Sequence, residues 1–465
     1  MKKLKLVFAA LCCLFSVNAY ATSKISFEEE VINSRNGNIT KYSLKNGIPV
    51  YYIENSESAV DEVSIVVKGG RAYLKPEQSG IEKALFTMMS NSSSHYGYLK
   101  RLKLGYEKSV SVKVDASDNA TRLSLSCLNY YLDEMLPLLT DSFLNPVFSK
   151  AVYDNMITDF SNQLQQSLND PFSLLKYKVK EVSYKGTAYE AQYNPTQESL
   201  QNLTIPELKK WHKNVLDSRR ICIVAVSSMD AEELLKKLDS TIGTIKALNT
   251  ELPDVQLVNI QVSGENIVIP HTAATGSGYA GRVFQAPLRN SDDYISAEIA
   301  AEIFSTTMFN IVRTKHGSCY GAGSESELGN GIGYEAAYML SDFAGFSKAM
   351  KEAREIMASG KFVEKLNEDG TCEYSSISTI LEGTKNSIIN SIYDSTTKTD
   401  GRVALYVSAL VDYNDITAFD SMIDKIHSVS ADDVIRVFNK YWVNQPATWF
   451  AVVGPDVENK IVFEE

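Results

Sequence analysis

Between Lys41 and Thr241 the apolar positions follow two spacings, and each switch between them marks an element boundary. Lys41-Tyr42-Ser43-Leu44 and Ile48-Pro49-Val50-Tyr51-Tyr52-Ile53 flank Asn46-Gly47, a dipeptide suited to a tight turn, and together they predict a hairpin. Ser64 to Lys68 reads as another strand, ended by Gly69-Gly70. From Glu77 to Ser90 the apolar residues fall at Ile81, Ala84, Leu85, Met88 and Met89, one face of a helix. Alternation returns in Ser109 to Val114 and in Thr121 to Cys127, an antiparallel pair around Asp118-Asn119. Helical spacing then runs almost without interruption from Tyr131 to Leu216 and closes on a helix Thr204 to Leu216. A strand Ile221 to Val226 and a helix Ala231 to Thr241 follow.

Near the far end the same order returns as a helix Ser430 to Tyr441 and a strand Ala447 to Gly454. Both helices carry acidic residues in the first turn, Glu207 in one and Asp432 and Asp433 in the other, where the helix dipole favours them. The repetition predicts duplication of a unit of roughly 200 residues. The expected fold class is α+β: two tandem homologous domains at 22–242 and 265–465, each an antiparallel or mixed sheet packed against helices. A polar linker at 243–264, carrying Pro253, separates them.

Residues 1–21 combine Lys2, Lys3 and Lys5 with an apolar run too short to span a bilayer and an Ala19-Tyr20-Ala21 pattern. They read as a signal peptide, cleaved before Thr22, which sends the chain to the periplasm or another extracytoplasmic space. No later stretch reads as apolar for long enough to be a membrane span. Without the leader's three lysines the formal charge falls from −11 to −14, which argues against a nucleic-acid partner. Cys127, Cys222, Cys319 and Cys372 are too irregularly spaced for a disulfide scaffold or a C-x-x-C metal site, and read as buried apolar residues.

Leu44-Lys45-Asn46-Gly47-Ile48-Pro49-Val50 resembles the L-x-N-G-x-x-V opening of the pitrilysin/insulinase metallopeptidases, and Gly69-Gly70-Arg71-Ala72 resembles the segment that follows it there. Further similarities come in the family's order: Asn169-Asp170-Pro171 to its D-D-P break, Tyr193 to Leu200 to its G-T-x-E-S-I segment, and Met308 to Tyr320 to L-x-x-x-x-R-x-x-x-G-x-x-Y. Active members carry H-x-x-E-H on the first helix. Histidines four apart face one way and share a zinc, while the glutamate activates the bound water. On this chain the resemblance puts those three residues at Lys83, Phe86 and Thr87, and the family's distant glutamate at or near Gln163. An ammonium, a phenyl ring, a hydroxyl and an amide make no zinc site. His95, His212, His271, His316 and His427 are scattered and offer no replacement.

The resemblance also implies that Arg313 and Tyr320 match an arginine and a tyrosine that hold the substrate backbone and its developing oxyanion, since both side chains are donors. His316 is given no role, and Gly276-Ser277-Gly278 and Gly321-Ala322-Gly323 lack the lysine of a phosphate loop and read as turns or chamber wall. The chain is thus similar to the zinc-free subunit of mitochondrial processing peptidase. It is expected to hold no cofactor and to pair with a zinc-bearing homologous subunit around a peptide. The alternatives are a stand-alone peptide-binding or scaffold protein, and an enzyme with a rebuilt site, for which no nucleophile and base pair is seen.

Overall fold

The computed structural model describes residues 27–35, 37–255 and 259–464, so the leader expected at 1–21 lies outside the described residues. The first half runs β1 (Glu29–Ile32), β2 (Ile39–Ser43), β3 (Pro49–Glu54), β4 (Val60–Lys68), α1 (Ile81–Asn91), α2 (Tyr98–Lys108), β5 (Ser111–Ala116), β6 (Ala120–Leu128), α3 (Leu132–Leu144), α4 (Lys150–Asn169), α5 (Pro171–Ser183), α6 (Ile205–Val215), β7 (Ile221–Ser227) and α7 (Ala231–Thr241). The second half runs β8 (Asn266–Pro270), β9 (Gly278–Gln285), α8 (Tyr294–Met308), β10 (Cys319–Gly329), β11 (Ile332–Leu340), α9 (Phe346–Ala358), β12 (Lys361–Leu366), β13 (Cys372–Ser376), α10 (Ile377–Ser395), α11 (Thr399–Asp412), α12 (Ala418–Ser428), α13 (Ala431–Phe438) and β14 (Ala447–Val453).

The duplication is visible in the sheets. The first has the order β1-β2-β3-β7-β4-β6-β5 and the second β10-β11-β9-β14-β8. Stripped of β1 and β2, the two ladders are the same. A parallel pair, β3 with β7 or β8 with β14, continues through three antiparallel pairings to an edge strand, β5 or β10. The Asn46-Gly47 turn joins β2 and β3 as the pattern requires, with Gly47 at φ 81° and the Asn46 amide donating to the carbonyls of Ile242 and Ile245.

Each sheet buries one face under its own helices. The first core gathers Leu85, Phe86, Met88, Leu139 and Phe143 with Ile65, Leu123 and Ile223, and the second gathers Ile303, Phe304, Phe438, Trp442 and Trp449. The opposite faces are closed by exchange. Leu174, Leu175 and Val179 of α5 pack with Val283, Tyr334, Phe450 and Val452 of the second sheet. Val403, Tyr406 and Leu410 of α11 pack with Ile53, Val66, Val224 and Val226 of the first. Full burial of each such aliphatic side chain contributes about 1.5–3 kcal/mol, so the two crossing helices bind the halves together.

Three expectations need correction. Helical spacing from Tyr131 to Leu216 is interrupted. After α5, the chain from Tyr184 to Ser199 forms no helix, because Tyr184 and Tyr189 close over the Arg71 guanidinium at 4.5 and 5.1 Å while the Tyr189 carbonyl accepts from it. Helix α2 was not foreseen. Its apolar residues Leu99, Leu102 and Tyr106 are exposed, only Leu104 packs against the first core, and Arg101 ties the helix down by donating to the carbonyls of Ser90 and Tyr96. Tyr294–Lys315 does reach a membrane-like length and a mean hydropathy of 1.2, but with 67% of that stretch buried it is the core helix of the second half. All four described cysteines are free thiols, three of them buried.

Candidate functional site

Gly80 starts α1 at φ 82°, and a Cβ there would lie 2.7 Å from the backbone of Pro195. Only glycine permits this approach, and the Gly80 N–H donates to the Gln192 carbonyl across it. The contact holds the 192–195 segment against the first turn of α1, where Lys83 projects. On the other side α4 buries Met156, Phe160 and Leu164 at helical spacing, which turns Gln163 towards the same point. The Lys83 ammonium donates to Gln163 Oε1 at 3.1 Å and to Asn194 Oδ1 at 2.7 Å, and lies 4.9 Å from the Phe160 ring centre and 5.7 Å from that of Tyr193. Burial holds its pKa below the usual lysine range.

Phe86 and Thr87, the other two positions that the resemblance aligns with H-x-x-E-H, do not join this cluster. Phe86 is fully buried and packs edge-on against Phe143 with centroids 6.5 Å apart, so it belongs to the core. Thr87 is half-buried one turn beyond Lys83, and its carbonyl accepts from Asn91 and Ser90. Zinc does not fit here: two neutral amides and an ammonium offer no anionic or imidazole ligand set, and the ammonium already occupies the space between α1 and α4. Among the described residues no group of three or more His, Cys, Asp or Glu side chains converges elsewhere.

Arg313 and Tyr320 are brought together. Helix α8 continues as a π-type turn over Phe309–Lys315, and Gly317 at φ 61° lets the chain reverse, its N–H donating to the Arg313 carbonyl, before β10 begins. Tyr320, at 69% exposure, presents its ring 5.2 Å from the Arg313 guanidinium, which lies 4.8 Å from Phe309 on the other side. Among the described residues no carboxylate pairs with Arg313. His316 instead bonds Glu352 at 2.7 Å, which ties the turn to α9. Gly321-Ala322-Gly323 lies within β10 and forms no turn.

Helix α5 runs between the two places. Asp170 ends α4 and caps α5 by accepting from the Ser173 N–H, with Pro171 at the first helical position. Asp170, Ser173 and Tyr177 line the cavity around Lys83, while Phe172 stacks edge-on against Tyr338, the β11 partner of Gly321, at 4.9 Å. Lys176 bonds Glu325 of β10 at 3.1 Å. The sequence reading missed Asn194, Tyr193 and Phe160 as neighbours of Lys83. The only signal available was the family-like segment that contains the first two.

Residues 202–360 match the family model described as Peptidase M16 inactive domain. The "Non-peptidase homolog YmxG" of Helicobacter pylori is 19% identical over 325 residues, 68% of this chain and 73% of that one. The "Probable mitochondrial-processing peptidase subunit alpha-2" of Arabidopsis thaliana is 25% identical over 46% of this chain, which spans only 41% of that relative's length. Among solved structures, a Helicobacter pylori protease superposes with a TM-score of 0.76 at 14% identity, covering 92% of this chain and 99% of that one. The peptidase M16 inactive domain protein of Pseudomonas fluorescens gives 0.73 at the same identity and coverages. The periplasmic protease PqqL of Escherichia coli gives 0.72 at 13% identity, over 97% of this chain and 49% of that one. Taken with the ordered landmarks and the duplicated sheets, these similarities give the chain the two-domain fold of the pitrilysin/insulinase (M16) proteins, with residues 202–360 matching the model of that family's inactive domain.

Proposed function

We propose that this chain is the non-catalytic subunit of a periplasmic peptidase pair, lending half of the chamber and the Arg313–Tyr320 donors to a zinc-bearing homologue. The observation that carries this reading is the Arg313–Tyr320 pair itself. A guanidinium with no carboxylate partner among the described residues is held between Phe309 and an exposed phenol, so both donors remain available to a substrate carbonyl. The cluster at Lys83 supports it from the other side, because the place for zinc is taken. An α subunit of a processing peptidase among the relatives supports a divided labour, and the periplasmic PqqL together with the leader-like opening supports an extracytoplasmic setting.

The test is to mix this chain with a homologue from the same genome that retains H-x-x-E-H. Sizing chromatography follows assembly and a quenched peptide follows cleavage. The pair is expected to cleave where neither chain does alone. Arg313→Ala and Tyr320→Phe are each expected to lower turnover about 10²-fold, roughly 3 kcal/mol of transition-state stabilisation, with co-elution intact. Assembly with unchanged turnover in both variants would remove these residues from substrate binding. Absence of assembly with every such homologue would overturn the subunit reading in favour of a stand-alone peptide-binding protein.

A further inference from the structure

The Lys83 ammonium is a cation without an anion. Two of its three N–H bonds go to neutral amide oxygens, and no described carboxylate pairs with it. The chain has no shortage of acids, with 57 Asp and Glu against 46 Lys and Arg, yet none of the described ones forms an ion pair with this group. The one acid in the surrounding cavity, Asp170, is engaged by the Ser173 N–H at the start of α5. A partly buried charge left uncompensated is costly, and an incoming anion removes that cost.

The cavity has a volume of about 470 Å³ and is lined mainly by amides and hydroxyls, among them Gln163, Gln166, Ser167, Ser173, Gln192 and Asn194. Such a lining offers paired donors and acceptors of the kind a peptide main chain uses. The single Lys83 ammonium balances one negative charge, and with Asp170 capping α5 the cavity supplies no second cation, so a dianionic phosphate would retain unpaired charge. We propose that this cavity is a carboxylate site in which Lys83 holds the C-terminus of a bound peptide, with Gln163 and Asn194 positioning the ammonium. The proposal takes from the functional reading above only that the ligand is a peptide, and it requires no partner subunit.

The experiment uses the chain alone and a fluorescein-labelled pentapeptide, Ala-Ala-Phe-Ala-Ala, with either a free or an amidated C-terminus, followed by anisotropy. The free acid is expected to bind about ten-fold or more tightly than the amide, the scale of one charge-assisted hydrogen bond. Lys83→Met keeps the length of the side chain and removes its charge. It is expected to abolish the preference while leaving the circular dichroism and melting curve of a folded protein. Equal binding of the two peptides to the native chain overturns the proposal without any variant, and so does a preference that survives in Lys83→Met. Competition by acetate as effective as by the peptide acid would make this a site for small carboxylates and overturn the assignment to a peptide terminus. Failure of both peptides to bind overturns the peptide reading as well. Assembly and cleavage with a zinc-bearing homologue would still be judged separately on Arg313→Ala.

Discussion

At the scale of single residues, the three α1 positions that the resemblance aligns with H-x-x-E-H differ in what they tolerate. Lys83 and Thr87 lie on partly exposed positions of α1, where a histidine can be accommodated. Phe86 cannot be treated in the same way, because its ring is fully buried against Phe143 in the core of the first half. Phe86→Glu removes that packing and places a carboxyl where no partner exists. Urea unfolding is expected to show a loss of about 3 kcal/mol or more. A variant that unfolds at the native urea concentration would show that α1 can rotate to release the carboxyl. A glutamate at this position therefore requires repacking around Phe143.

At the scale of elements, a buried carboxyl of β4 beside the start of α11 makes stability sensitive to pH. Glu62 of β4 is buried, its Oε2 has no hydrogen-bond partner among the described residues, and Arg122 comes no closer than 3.9 Å to Oε1. Burial pushes its pKa up from 4.5 to about 7. The Arg122 charge opposes that rise, and Asp400 at the start of α11 reinforces it. A folded-state pKa above the unfolded one means that the native chain binds the proton more tightly. The associated stability is present below pH about 4.5 and is lost as pH rises through about 7. Glu62→Gln is expected to melt higher than the native protein at pH 8, by at most about 3 kcal/mol, and to match it at pH 4. A variant less stable at pH 8 would mean that ionised Glu62 is compensated by Arg122 after all.

At the scale of the whole molecule, the halves are joined by exchange more than by the segment between them. Helix α5 closes the second sheet and α11 closes the first, and Arg289 of the second half pairs with Asp412 at the end of α11 at 2.8 Å. Asn119 of the first half also donates to Asp412, so the C-terminal end of α11 is held by residues of both halves. A protease site inserted near the exposed Glu251 and Asp254 is expected to yield two fragments that still co-elute and part only in denaturant. Fragments that separate on a sizing column in buffer would show that the chain connection, and not the exchanged helices, holds the halves together.

Local pattern determined a large part of this protein. The Asn46-Gly47 hairpin, the paired strands around Asp118-Asn119, the apolar face of α1 and the recurrence of helix and strand near Ser430 are all written in spacings of a few residues. Periodicity reports that a face is buried, however, and not what buries it. Only the tertiary structure joined Lys83 to Gln163, 80 residues away, and to Asn194, 111 residues away, leaving its charge without an anion. It alone decided that α5 and α11 cross to the opposite sheets and that α2 shows its apolar side to solvent. The irregular path from Tyr184 to Ser199 was settled there too, because the Arg71 guanidinium outweighs a helical spacing only when the fold brings it between two tyrosines.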